Sequence, residues 1–311
     1  MDVRQPTRQR GDLSTWWVAA VVCAVILWSA FILQPAVGGE NTNPKSASPA
    51  APLLGEPLAE RLWQVLADHQ QGRPEQAAEK WAAIRLPDDV RHWKQIGLAA
   101  ARLESDQLPS AHAALCDAKT ADKDAAVVNY YLGLLRLQQA AKAEQWPDAV
   151  GKPKMILASH QPLTVAPNTK GMYRLAAAQE FEQAIETAAE VNLDRWLAPA
   201  PVTSEGVFPP TARDLVIALG ADQFEAYSHH FLATFNLEDG DLDRAELHLN
   251  RVIELGADAS FGFRELGRQY EDVGRNWDAA CAYAKVVGQD QEDADSAWKT
   301  IRNLRKALLN N

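Results

Sequence analysis

A period of about 34 residues organises most of this 311-residue sequence and limits its fold more than any other feature. Three small residues near the C-terminus recur at this period: Ala233, Gly240 and Ala245 are followed by Gly267, Gly274 and Ala279. In both copies a glycine precedes a polar helix start and apolar residues at helical spacing. Small residues let antiparallel helices approach closely, and glycine permits the tight turn between them. The period therefore predicts a series of stacked helix hairpins.

These hairpins resemble the tetratricopeptide repeat (TPR) family. In the family pattern, Leu precedes a Gly or Ala, which we call the mark. Tyr stands at the third position after the mark, Ala at the twelfth, and a large apolar residue four positions after that Ala. One copy matches throughout, with Leu266, Gly267, Tyr270, Ala279 and Tyr283. The copy before it has Ala233 as its mark and departs only in Asn236, which replaces the Tyr.

The N-terminal half keeps the same phase. Ala77 recurs one period later as Ala111, and Gly97 supplies the mark of that second repeat. The separation of Gly97 and Ala111 is two positions longer, however, than the separation of mark and alanine in the two C-terminal repeats. The first repeat opens with a degenerate helix, and the chain ends in a capping helix with one apolar stripe, formed by Ala297, Ile301, Leu304 and Leu308. No sustained heptad supports the rival fold, a coiled coil.

Two repeats are modified by insertions. Gly133 and Ala177 lie far more than twelve positions apart, so the third repeat carries an insertion, at 144–171, between its two helices. Two apolar strings in this insertion predict a short β-hairpin. In the next repeat a loop with four prolines, at 194–210, replaces the first helix, while the helix after Thr211 is kept. Such insertions often bind partners, but repeat proteins also tolerate them without function, and both interpretations stay open.

The region before the repeats predicts a membrane anchor. Residues 14–34 carry no charge and are long enough to cross a bilayer as one helix. A cleaved signal peptide is the alternative, although its apolar region is normally only about 7–15 residues long. Three arginines lie in the predicted cytoplasmic tail, 1–13, and a single lysine lies in the predicted flexible linker, 35–56. The positive-inside bias then places the N-terminus in the cytoplasm and the repeats outside, in the periplasm or its equivalent.

The sequence thus predicts an all-α fold: a solenoid of about six TPR-like hairpins over 57–309, after one transmembrane helix and a linker. The net charge of −10 argues against a nucleic-acid partner. Cys116 and Cys281 follow apolar helix positions in different repeats, so we expect buried free thiols in preference to a disulfide.

No motif for catalysis, nucleotide binding or a cofactor occurs, so we expect neither an enzyme nor a cofactor. The alternation of Asp239, Asp241 and Asp243 lacks the spacing of a calcium loop and is interpreted as a turn and helix cap. A zinc site is disfavoured as well, because adjacent histidines on a helix diverge and at most one of His229 and His230 can join His248.

The resemblance implies a partner-binding groove made by the first helix of each hairpin. In the family, the groove positions are the sixth and third before the mark and the first, fourth and fifth after it. Their counterparts here are Arg91, Lys94, Arg102, Tyr130, Leu134, Tyr227, His230, Phe261, Arg264 and Arg268. This basic and aromatic set predicts an acidic or carboxylate-ended peptide as ligand, unless the cations serve only to solvate the helices.

A membrane-tethered scaffold for a protein or peptide partner, in envelope-complex assembly or secretion, is the function these features favour. The alternative is a helical-solenoid enzyme that acts on the cell wall without a recognisable catalytic motif. The oligomeric state is left open by the sequence.

Overall fold

The computed structural model describes residues 57–121, 124–145, 155–156, 162–163, 169–199, 206–289 and 291–309. The predicted tail, transmembrane helix and linker lie outside these residues. Within the described part of the chain, no helix is long and apolar enough to cross a membrane. The described fold is all-helical apart from one short strand pair, which confirms the all-α prediction.

Twelve α-helices lie in the described residues. They are α1 (Leu58–Gln70), α2 (Pro74–Ala83), α3 (Arg91–Glu104), α4 (Leu108–Lys119), α5 (Ala125–Gln145), α6 (Thr169–Glu186), α7 (Ala212–Ala218), α8 (Phe224–Asp239), α9 (Leu242–Glu254), α10 (Ser260–Asp272), α11 (Asn276–Gln289) and α12 (Gln291–Leu309). Neighbours in sequence pack against each other from α1 to α6 and from α8 to α12. Contacts also join helices two apart in the order, α3 with α5, α6 with α8, and α8 with α10.

Local sequence explains where the helices begin and end. Gly240 ends α8 in the left-handed conformation, with φ of 78°, which glycine adopts without steric cost. Asp241 then caps α9 by accepting a hydrogen bond from the Arg244 amide. The interpretation of these acidic residues as a turn and cap is therefore confirmed. Thr211 and Asp214 form a reciprocal capping box at the start of α7.

Close approach at glycine holds helix pairs together. A Cβ added at Gly133 would lie 2.5 Å from Cε1 of Phe181, and one at Gly267 would lie 2.9 Å from Cε1 of Tyr283. Both aromatic rings belong to the second helix of the same hairpin. Ala245 and Ala279 are fully buried, as the repeat pattern predicts.

Gly97 makes a different contact. Its added Cβ would lie 2.4 Å from Cε2 of Trp81, which belongs to the preceding helix α2 and not to the following α4. Gly97 thus packs against the preceding hairpin and not within its own. The longer separation of Gly97 and Ala111 is the sequence feature that accompanies this change.

The insertions also match the local predictions. Met155–Ile156 pairs antiparallel with Pro162–Leu163, which confirms the β-hairpin in the first insertion. The described residues of the second insertion, 194–199 and 206–210, contain no helix. Cys116 and Cys281 are free thiols, as predicted, although both are half-buried and not fully enclosed.

Trp81 joins the first three helices. Its ring packs on Gly97 of α3, and its indole N–H donates to Nε2 of His69 in α1 at 2.9 Å. Since that nitrogen accepts a hydrogen bond, the His69 ring is neutral. Burial lowers the pKa of His69 from 6.5 to about 4, against a smaller opposing effect of Asp68.

Replacing Gly133 by Ala tests the close approach. The Phe181 ring is fully buried and stacks on Phe231 with ring centroids 4.8 Å apart, so it cannot move aside easily. We expect Gly133→Ala to lower the free energy of unfolding by about 1–3 kcal/mol in denaturant titrations. Gly288→Ala is the control: Gly288 lies in α11 with nothing within 4 Å of an added Cβ, so we expect a gain of about 0.5–1 kcal/mol. Equal free energies of unfolding for Gly133→Ala and Gly288→Ala would contradict this packing.

The pKa of His69 predicts a loss of stability in acid. Because its folded pKa lies below its unfolded pKa, the unfolded chain binds more protons between about pH 6.5 and pH 4. Stability from neutral His69 is complete above this window and is lost as the pH falls through it, by at most about 3 kcal/mol. His69→Gln keeps an acceptor for Trp81 but does not titrate. Its unfolding free energy should therefore fall less steeply with acid than that of the wild type, and parallel curves would refute the assignment.

Candidate partner-binding surface

The predicted groove residues on α3 are engaged within the fold. Lys94 donates from Nζ to the backbone carbonyl oxygens of Ala82 and Ile84, at 3.0 and 2.6 Å. It therefore faces the end of α2, in keeping with the backward contact of Gly97. Burial lowers the pKa of Lys94, and the positive charges of Arg85 and Arg91 add to this effect.

The two arginines of α3 also have partners. Arg91 forms an ion pair with Asp88 just before the helix. Arg102 donates from Nη1 to the carbonyl oxygen of Ser110 at 3.0 Å. These contacts lie within the second hairpin and its approach, so the basic groups of α3 contribute to local structure as well as to surface charge.

The residues on α5 and α8 form an aromatic cluster. Tyr130 is only 2% exposed and stacks on Tyr227, with ring centroids 6.4 Å apart and planes 29° apart. Leu134, Tyr227 and His230 are half-buried. Burial lowers the pKa of His230, so this side chain favours the neutral form. Tyr130 thus packs α5 against α8 and offers little surface to a ligand.

The second insertion, 194–210, and the residues on either side of it run back across the N-terminal hairpins. We call residues 191–199 and 206–221 the crossing segment. Its hydrogen bonds to earlier parts of the chain join four pairs: Asn192 amide to Asp124 Oδ1 at 2.9 Å, Arg195 Nη1 to the Asp89 carbonyl at 3.2 Å, Trp63 Nε1 to the Phe208 carbonyl at 2.8 Å, and Tyr131 Oη to the Leu219 carbonyl at 3.4 Å. In addition, α7 packs against α1.

The crossing segment is itself firmly held. Leu197 is fully buried, and its amide donates to the carbonyl of Pro210 at 2.9 Å. The Ala212 amide donates to the Arg195 carbonyl at 2.8 Å, so the two arms of the segment are paired. A loop predicted from prolines alone is therefore a packed element that reaches from α5 to α1.

A buried acid–histidine pair fixes this element. Asp124 Oδ2 lies 2.7 Å from Nε2 of His92, and both side chains are almost fully buried. Asp124 has φ of 50°, a strained conformation that aspartate tolerates better than most residues. Burial favours a higher pKa for Asp124, but the hydrogen bonds from His92 and the Asn192 amide outweigh it and lower the pKa. The charged carboxylate thus joins α3, α5 and the crossing segment.

The first-helix face is more open on α10. Phe261 is 41% exposed, whereas Val127, which stands at the same distance before the mark of the third repeat on α5, is fully buried. Arg268 is also exposed, and Arg264 is half-buried. We call Phe261, Arg264 and Arg268 the α10 face.

Acidic neighbours already balance the α10 face. Arg268 donates from Nε to Glu265 Oε2 and from Nη1 to Asp272 Oδ2, each at 3.0 Å. Burial favours a higher pKa for Glu265, yet the hydrogen bonds from Arg268 and Gln269 lower it. A carboxylate on a ligand would therefore have to displace Glu265 or Asp272 from Arg268.

The histidines behave as the helix geometry predicts. His229 and not His230 meets His248, with the two Nδ1 atoms 2.9 Å apart. Burial, followed by His248 and Arg251, lowers the pKa of His229 to about 4. Among the described residues, no group of three or more His, Cys, Asp or Glu side chains is placed to hold a metal ion.

No family model, curated protein or solved structure matches this chain. The crossing segment contributes contacts that the repeat positions do not include. In the sequence, the signal for this segment is a pair of large aromatic residues, Trp196 and Phe208, within a proline-rich stretch. Both side chains are exposed in the structure.

Replacing Asp124 by Asn should loosen the crossing segment. The change removes the charge that accepts hydrogen bonds from His92 and Asn192, at a cost of about 1–3 kcal/mol. We expect faster hydrogen exchange at the amides of Asn192, Leu197 and Ala212. The control is Asp194→Asn, which changes an exposed carboxylate of the same segment, paired with Arg213. Unchanged exchange in Asp124→Asn would show that other contacts hold the segment.

Proposed function

We propose that this chain is a membrane-tethered, TPR-like scaffold that binds a protein or peptide partner on the outer side of the cytoplasmic membrane. It acts by binding and not by catalysis. Envelope-complex assembly or secretion is the setting we propose, with residues 14–34 as the anchor and 35–56 as the linker.

The repeat architecture has two independent supports. The repeat period in the sequence is one, and the glycine contacts at Gly133 and Gly267 are the other, because each places a small residue against an aromatic ring of its own hairpin. Contacts between alternate helices are what a solenoid requires, since each repeat must bury its faces against its neighbours. We therefore propose a solenoid of about six hairpins, with the first helices forming one wall.

The exposure of Phe261 is the observation that carries the binding proposal. The 41% exposed ring lies at a first-helix position, on the same helix as Arg264 and Arg268. Aromatic and arginine side chains are the residues that most often anchor interfaces. We propose that the partner docks an apolar group on Phe261.

The partner's charge is proposed to be acidic, or carboxylate-ended. A carboxylate approaching Arg268 replaces Glu265 or Asp272, so this exchange contributes to specificity more than to affinity. Burial of Phe261 then supplies most of the binding energy.

Photocrosslinking at position 261 tests this proposal. A photoreactive phenylalanine analogue replaces Phe261 in the full chain, expressed in its native cells. We expect one defined crosslinked envelope protein, because the ring lies in the interface. Position 247 is the control, since Leu247 is 67% exposed but lies on the second helix α9. We expect no crosslink there.

The arginines are then removed in the crosslinking chain. Arg264→Ala with Arg268→Ala leaves Glu265 and Asp272 without their arginine partner, and these carboxylates then repel an acidic ligand. The crosslink should therefore fall by about tenfold, equivalent to ~1.4 kcal/mol, without a change in melting temperature. Arg244→Ala with Arg251→Ala is the matched control, since both are exposed arginines with acidic neighbours on α9. Equal loss in both double variants, or a crosslink from position 247 alone, would contradict the proposed surface.

A further inference from the structure

An exposed aromatic patch lies next to the start of the helical body. Its members come from three parts of the chain: Trp63 in α1, Trp196 in the first arm of the crossing segment, and Val207 and Phe208 in the second arm. They are 40%, 45%, 50% and 50% exposed. We call these four residues the aromatic patch. Large apolar side chains that gather on a surface indicate a site of interaction.

Direct contacts hold the patch together. Trp63 donates from Nε1 to the carbonyl oxygen of Phe208 at 2.8 Å, and the rings of Trp196 and Phe208 are 6.1 Å apart. A β-bridge joins Trp196 to Thr211, and the neighbouring Leu197 is fully buried. The backbone therefore fixes the exposed rings on the surface, so binding would not require these rings to be ordered first.

The two charged residues that precede Trp196 in the chain, Asp194 and Arg195, already have partners within the fold. Asp194 pairs with Arg213 at 3.1 Å, and Arg195 donates to the carbonyl of Asp89. Charge complementarity is thus not the basis of recognition here. A partner of low charge and large apolar area fits the patch, and tryptophan is the residue that prefers the boundary between lipid headgroups and acyl chains.

Through Trp63, the aromatic patch lies close in the chain to the predicted membrane anchor. Trp63 lies less than two helical turns after Pro57, or about 9 Å along the helix. If the predicted linker, 35–56, behaves as the flexible chain that its composition predicts, its root-mean-square span would be about 23–28 Å. We propose that the aromatic patch rests on the outer surface of the membrane that anchors the chain. This step depends on the anchor of the proposed function.

Such docking would orient the body. A second contact beside the predicted linker would restrict how the helices are oriented relative to the membrane. Because the second binding event is intramolecular, even weak insertion of three aromatic rings is populated at the effective concentration that a short linker sets. Because the apolar rings and not the charges make this contact, zwitterionic phosphatidylcholine, which has no net charge, should be sufficient.

Quenching by brominated lipid tests the contact. The full chain is reconstituted into vesicles of phosphatidylcholine with ordinary or brominated acyl chains. Subtracting the emission of Trp196→Phe from that of the wild type isolates Trp196, and phenylalanine keeps an aromatic ring in the patch. The control difference uses Trp277→Phe, since Trp277 is 69% exposed on α11. We expect bromine to remove most of the Trp196 emission and to leave that of Trp277.

An alkaline wash of the vesicles separates the two proposals. If the chain stays with the lipid but Trp196 is not quenched, the docking is wrong and the anchor stands. If the wash releases the chain, the anchor fails and the docking fails with it. Trp196 emission that shifts only when native envelope proteins are added, without quenching by bromine, would overturn lipid docking and assign the patch to a protein.

Discussion

Close approach between helices at small residues is the constraint on which this fold depends. At Gly133 and Gly267 an aromatic ring lies where a Cβ would be, so the two backbones are nearer than other residues allow. Gly97 does the same toward Trp81, and it thereby ties the first hairpin to the second. Such contacts set the spacing of the helices, and the spacing decides which side chains of the first helices reach the surface.

The crossing segment adds contacts that the repeat positions do not supply. It pairs its two arms, buries Leu197, and reaches α1 and the loops before α3 and α5. Asp124 holds it through a charged, buried carboxylate, in a backbone conformation that costs energy. The same element brings Trp196 and Phe208 beside Trp63. The crossing segment therefore packs on the N-terminal helices and forms an exposed aromatic surface.

Much of the candidate site was accessible to sequence reasoning, but the state of each side chain was not. The repeat spacing placed Phe261 and Arg268 on α10, where both are exposed. It also placed Tyr130 in the groove, and that side chain is buried against Tyr227. Lys94 was assigned to the groove by the mark at Gly97, yet it faces the end of α2. A shift of two positions turns a helix by more than half a revolution, so a small error in register changes the face.

The sequence by itself determined the helices, their ends and the positions of both insertions, because these follow from local periodicity, glycine turns and proline. It also determined that Ala245 and Ala279 are buried, since a small residue at a fixed period is needed only where helices meet. The path of the crossing segment was decided only by tertiary structure. Its contacts join residues far apart in the chain, such as Asp124 with Asn192 and Trp63 with Phe208, and no local pattern encodes such pairings. They depend on which polar groups and apolar faces the folded helices leave without a partner.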